Sequence, residues 1–175
     1  MIRGRDIIKL PVYSRDTGTK VGRVEDLVVD RKGTHVLGIV VGEKLLGSPR
    51  VVPWSAILVA GRDAVIIDAE TSVVKASANA AIDEVLARGF VLQGSSLQTT
   101  GGSELGKIEN FFFNGATGII DGFELRGSSG EGRPKKIFLP AHPSFESGKD
   151  ATFVDPAAAD TMEDLKAALK ARTTP

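Results

Sequence analysis

The sequence predicts a mainly β protein: two tandem small β-barrels, a helix between them and a second helix at the C-terminus. Three observations carry this prediction. The chain aligns with itself; each aligned half breaks into short strands separated by Gly, Pro and Asp turns; and only two stretches place apolar residues at helical spacing.

The repeat comes first. Gly18-Thr-Lys-Val-Gly22-Arg-Val-Glu25-Asp-Leu-Val-Val-Asp30 aligns with Gly102-Ser-Glu-Leu-Gly106-Lys-Ile-Glu109-Asn-Phe-Phe-Phe-Asn114 at an offset of 84. Both glycines and the glutamate coincide, and apolar positions remain apolar. The offset holds to Val36-Leu-Gly38 and Ile120-Asp-Gly122. It then becomes 87, where Val51-Val-Pro53 pairs with Phe138-Leu-Pro140 and Gly61–Asp68 pairs with Gly148–Asp155. The three extra residues fall in the Gly/Ser-rich stretch from Gly127 to Pro134, which reads as a surface loop of the second copy.

Each copy reads as a succession of short strands. In the first, Asp6–Tyr13 is a strand that Pro11 confines to an edge or bulge position. Val21–Asp30 is the longest strand, His35–Val41 the next and Arg50–Val52 a short one. Pro53 then opens one helical turn at Trp54, and Ile57–Ala60 with Ala64–Ile67 makes a hairpin across Gly61-Arg-Asp63. The second copy repeats the plan from Phe90 to Asp155. Val74–Arg88 has Ala78, Ala81, Ile82, Val85 and Leu86 at helical spacing and ends at Gly89, a helix-stopping glycine. Asp155-Pro156 starts the last helix, and Thr161-Met-Glu-Asp164 resembles a capping box. The boundaries are therefore a first module at 1–71, a linker helix at 72–88, a second module at 89–155 and a C-terminal helix at 156–172.

Composition narrows the function. Lys plus Arg and Asp plus Glu are 22 each, a formal net charge of zero, which disfavours a strong non-specific nucleic-acid binder. With no Cys, disulfides, thiolate metal sites and thiol nucleophiles are excluded. No apolar run reaches the ~18 residues that span a bilayer. Met1–Lys9 alternates charge and apolarity and lacks the apolar core of a signal peptide, so the expected location is the cytoplasm.

A strand of the form Gly-x-x-x-Gly-x-Val/Ile leads through Val36-Leu-Gly38-Ile-Val to Arg50-Val-Val-Pro-Trp-Ser-Ala-Ile57 and a closing Val65-Ile-Ile-Asp68. This resembles the PRC-barrel family, named for the photosynthetic reaction centre. The same barrel resembles the cytoplasmic part of the reaction-centre H subunit and the C-terminal domain of the small-subunit ribosomal RNA processing factor. The second copy departs from the pattern, with Ala141-His-Pro where the first has Trp54-Ser-Ala. The resemblance implies a protein-interaction barrel and transfers no single function.

The residues that attract a chemical reading mostly favour a plain one. Gly18-x-x-x-Gly22 and Gly102-x-x-x-Gly106 precede strands and lack a following Lys-Ser/Thr, so they read as turn and bend glycines, not a phosphate loop. His35 and His142 do not coincide in the repeat and have no evident partners. Glu25 and Glu109 recur but lie in different modules and read as solvent-facing or ion-paired. Arg126, Arg133, Lys135 and Lys136 make a basic loop cluster without aromatics for base stacking. Trp54, the sole Trp, and the triplet Phe111, Phe112 and Phe113 are the candidate interaction residues. Strand alternation sends Phe112 opposite to its neighbours, so an apolar face beyond the barrel interior must be covered by the other module, a helix or a partner.

Taken together, the sequence favours a non-enzymatic adaptor built from two barrels. It expects no catalytic residues, cofactor or metal. Its partner is another protein or a second copy of itself, and nucleic acid is disfavoured. The alternative is an accessory factor in RNA metabolism or ribosome assembly.

Overall fold

The structure, a computed structural model, describes residues 1–42, 48–90, 92–127 and 135–173. The first repeat contains β1 (Ile2–Arg3), a one-turn helix α1 (Gly4–Ile7), β2 (Pro11–Ser14), β3 (Lys20–Val29), β4 (Val36–Val41) and β5 (Arg50–Pro53). A 3-10 turn at Trp54–Ala56 leads to β6 (Ile57–Ala60), β7 (Val65–Ile67), β8 (Val74–Lys75) and α2 (Ala80–Arg88). The second repeat contains β9 (Ser96–Thr99), β10 (Glu104–Phe113), β11 (Ile120–Gly127), β12 (Lys135–Pro140), β13 (Glu146–Ser147) and β14 (Ala151–Val154). After a 3-10 run at Pro156–Thr161 come β15 (Glu163–Asp164) and α3 (Leu165–Thr173). The extra loop expected at Ser128–Arg133 lies outside the described residues.

The two copies share one strand order. It is β6-β7-β2-β3-β4-β5-β8 in the first and β13-β14-β9-β10-β11-β12-β15 in the second. In both, the third strand in this order pairs in parallel with the second, and the other neighbours are antiparallel. The end strands of each sheet do not pair with one another, so hydrogen bonding leaves both sheets open where the sequence suggested closed barrels. Gly22 and Gly106 sit at register shifts where the first two long strands of each copy meet, the bend role expected of them.

Three further readings change. Asp6–Tyr13 is not one strand: Gly4–Ile7 coils into α1 and Pro11 begins β2, at the first strand position, where its missing N–H costs no ladder bond. The linker helix and the C-terminal helix are one element of the repeat. Each follows a two-residue strand that pairs with the same neighbour, β8 on β5 and β15 on β12. That pairing delays the helices, which begin at Ala80 and Leu165 instead of Val74 and Pro156. The Asn79 carboxamide oxygen accepts from Ile82 N (3.2 Å), and Gly89 ends α2 in the left-handed conformation. Asp164, not Thr161, caps α3, its carboxylate accepting from Ala167 N (3.1 Å).

Strand alternation divides the core into layers. Outward from the first sheet, Val28, Val40 and Val51 pack under Ile82 of α2. The matching layer of the second sheet puts Phe112 and Phe138 under Leu165 and Ala168 of α3. The opposite faces of both sheets meet in a single cluster that includes Val29, Ile39, Val52 and Trp54 from one repeat and Phe111, Phe113, Phe123 and Phe145 from the other. A small module cannot bury enough surface alone, and sharing a core supplies the rest.

Candidate functional site: the seam between the repeats and the surfaces beside it

The turn Asp30–His35 of the first repeat meets the turn Asn114–Ile119 of the second. His35 and Ile119, equivalent at the offset of 84, face each other in an isolated antiparallel bridge. Val36 N donates to Gly118 O and Ile120 N to Thr34 O, both at 2.8 Å. Exchanging the repeats converts one of these bonds into the other, so an approximate two-fold axis passes between the turns. Gly118 has φ +75°, and a Cβ there would lie 2.8 Å from the Trp54 ring, so both backbone sign and space require glycine.

This seam is where the candidate interaction residues lie. Trp54 is 7% exposed and meets Phe113 edge-on, with ring centroids 5.1 Å apart. Phe111, Phe112 and Phe113 are 2%, 4% and 0% exposed. Phe111 and Phe113 join the shared core, whereas Phe112 points the other way to Phe138 and α3. As surface anchors all four are out of reach, because their rings are already consumed by the other repeat and by α3.

The N-terminal strand crosses the seam. The sequence assigns Ile2 and Arg3 to the first module, yet β1 pairs with β10 of the second, Ile2 opposite Phe113 and Arg3 opposite Phe112. That pairing brings Arg3 to Glu124, a fully buried carboxylate that sequence reasoning missed. Arg3 Nε donates to it at 3.0 Å and Lys136 Nζ at 2.9 Å. Burial pushes this carboxyl up, but the bonds from Arg3 and Lys136 outweigh burial and hold it below the ordinary value of 4.5. The available signal was an acid between Phe123 and Leu125 in an otherwise apolar strand; its partner lies 121 residues away.

Other singled-out residues disperse. His35 Nδ1 lies 2.9 Å from Thr34 Oγ1, and His142 Nδ1 lies 2.6 Å from Ser144 Oγ. Glu25 is exposed, and Glu109 pairs with Arg126. Of the basic cluster, Arg126 and Lys136 can be placed, and each contacts a carboxylate; the side chains of Arg133 and Lys135 lie outside the described residues. Among the described residues no three His, Asp or Glu gather as a metal site, and no helix is long and apolar enough to cross a membrane.

Among the described residues, two open surfaces stand out. Across β2, β7 and β6, Tyr13 stands opposite Ile66 and Ile66 opposite Val59, so the three share one face. Tyr13 is 37% and Val59 53% exposed. The equivalent row in the second repeat is Gln98, Phe153 and Glu146, and Glu146 is held by Arg31 and Lys32. Beside β3 lies a cleft of about 260 Å³, bounded by that strand, α2 and the residues Gly89, Phe90, Leu92 and Gln93.

Two copies of one small β-sheet module, fused through a common core and bearing open surfaces, define a duplicated β scaffold. The PRC-barrel domain model matches residues 1–74 and again residues 89–160, and the chain belongs to the PRC-barrel family as a tandem member. A search of curated proteins finds no match to the chain.

Proposed function

We propose that this protein is a non-catalytic interaction scaffold, an adaptor that presents a protein-binding surface on a rigid pair of PRC modules. The observation that carries this is the row Tyr13–Ile66–Val59, exposed at both ends. Single exposed apolar residues are ordinary on protein surfaces. Here exposed Tyr13 and Val59 flank the half-buried Ile66 across adjacent strands, and the row ends on β6, an edge strand whose sequence Ile57-Leu-Val-Ala60 has no charge to deter pairing. Membership of a family of interaction modules supports the same reading.

The test is affinity capture from the native cell with the wild-type chain and with the double variant Tyr13→Ser, Val59→Lys. The expected result is a stoichiometric partner retained by the first and lost by the second while both melt alike. Equal capture by both would remove the proposed surface, and no specific capture would remove the scaffold reading. The RNA-related alternative draws little from the geometry, since Arg126 and Lys136 are already neutralised by Glu109 and Glu124. Filter binding at low salt addresses it, because phosphate contacts are strongest there; retention of RNA would favour that alternative.

A further inference from the structure

The chain holds three asparagines, Asn79, Asn110 and Asn114, and their surroundings differ. Asn79 precedes Ala80, and its side chain caps α2. Asn110 is wholly buried, and its oxygen accepts from the amide of the next residue, Phe111 N (2.9 Å). Asn114, just beyond β10, is exposed and precedes Gly115. Its Oδ1 accepts from Ala116 N (2.9 Å) and Thr117 N (3.2 Å). Among the described residues, Gly115 N donates to no acceptor. Packing explains the glycine, since a Cβ there would overlap Ile2 Cδ1 of β1.

We propose that Asn114 is a modification site, where the chain spontaneously deamidates and forms isoaspartate. This goes beyond the scaffold reading and does not rest on it. Gly115 N attacks Asn114 Cγ. The new N–C bond closes a five-membered imide as the carboxamide C–N bond breaks, and ammonia leaves with the proton from Gly115 N. Water then opens either imide carbonyl, giving aspartate or isoaspartate; no oxidant or reductant is needed. The missing Cβ leaves Gly115 N unobstructed, and its N–H has no bond to lose. The amides of Ala116 and Thr117 already point at the oxygen on which negative charge builds in the tetrahedral adduct, as in an oxyanion hole.

The first repeat shows what each product does. The counterpart of Asn114 at the offset of 84 is Asp30, whose carboxylate accepts from Thr34 N (2.6 Å) and His35 N (3.2 Å). An aspartate at position 114 therefore keeps the turn. Isoaspartate instead adds a methylene to the main chain. At that point Asn114 N donates to Ile119 O and Gly118 N donates to Asn114 O, both at 2.8 Å. Gly118 and Ile119 belong to the seam, so isoaspartate loosens the junction between the repeats.

The test incubates the full-length protein at mildly alkaline pH, folded and, in parallel, unfolded in guanidinium chloride. Both samples are digested with trypsin, and the peptide Ile108–Arg126, which carries Asn110 and Asn114 together, is read by mass and electron-transfer fragmentation. Asn114 should convert at least as fast in the folded chain as in the unfolded one, and Asn110 only in the unfolded one. Slower conversion of Asn114 in the folded chain would overturn the inference, because the turn would then shield the amide. Gly115→Ala on an Ile2→Ala background should slow conversion about tenfold or more against Ile2→Ala alone; equal rates would exclude attack by Gly115 N. If that double variant fails to fold, the folded and unfolded wild-type rates decide alone. Asn114→Asp should melt with wild type, and the isoaspartate form, separated by anion exchange, should melt lower. An isoaspartate form that melts with wild type would remove the effect on the seam.

Discussion

The second repeat carries Phe111, Phe113, Phe123 and Phe145 where the first carries Leu27, Val29, Ile39 and Leu58. Two identical convex faces related by a two-fold axis would collide at the axis and leave gaps away from it. Unequal residues solve this: the rings of one repeat fill the volume that smaller residues leave in the other. Phe145 shows the consequence. It stacks on Phe123 with centroids 4.2 Å apart and is wholly buried, while its counterpart Leu58 stays 44% exposed. Duplication supplied the fold twice, and divergence made one copy the filler and the other the frame. The same divergence closed one strand edge with β1 and left the other beside a cleft.

The sharpest test of that asymmetry is truncation at equivalent positions. Phe113→Ala should cost about 3–5 kcal/mol, because the ring is fully buried against Trp54 and its cavity cannot collapse. Val29→Ala, its counterpart, should cost about 1.5 kcal/mol, two methyl groups' worth. Denaturant melts followed by Trp54 fluorescence would measure both. In each, the two repeats should unfold in one transition, because their core is shared. Two separate transitions would break the comparison.

Next in size is the buried carboxylate. Arg3→Ala should destabilise by about 3 kcal/mol, since it leaves Glu124 buried with Lys136 alone. Because the folded carboxyl is held below its ordinary value, its contribution is complete above about 4.5 and disappears as pH falls through the lower folded value. Acid melts should therefore weaken wild type more steeply below pH about 4.5 than Glu124→Gln, which has no such charge to lose. Parallel pH profiles would contradict the assignment.

Gly118→Ala should cost about 1–3 kcal/mol, from an Ala at positive φ crowding Trp54, whereas Thr34→Ala at the equivalent turn position should cost less. Thermal melts of the two would rank them. The smallest effect belongs to the exposed row: Tyr13→Ser should change stability by no more than about 0.5 kcal/mol, because surface residues away from special contacts seldom do more. A large loss there would mean that the row supports the sheet and is not available to a partner.

Much of the fold was legible in the chain. The Gly-x-x-x-Gly strands, the alternation that turned Phe112 away from its neighbours and the glycine that ended α2 are local signals, and local signals survive folding. The caps of α3 and the start of α2 were misread because β8 and β15 draw those residues into sheets first, a tertiary demand with no local trace. The candidate anchors were found by residue type, and the burial of Phe111, Phe112 and Phe113 follows from the second apolar face that strand alternation required to be covered; type by itself does not say which contact is made. The row Tyr13–Ile66–Val59 was not legible, because Tyr13 lies about fifty residues from the other two and is aligned with them only by register.

What the sequence by itself determined was the duplication, the strand pattern within each copy and the need for a second apolar face to be covered. Periodicity and turn chemistry act over a few residues, so they are written in the chain directly. What the tertiary structure decided was which copy receives the first strand, where the buried carboxylate Glu124 finds its cations and which strand edge stays open. Those outcomes depend on whether groups more than a hundred residues apart can satisfy each other out of water, and desolvation is settled only once the two sheets have met.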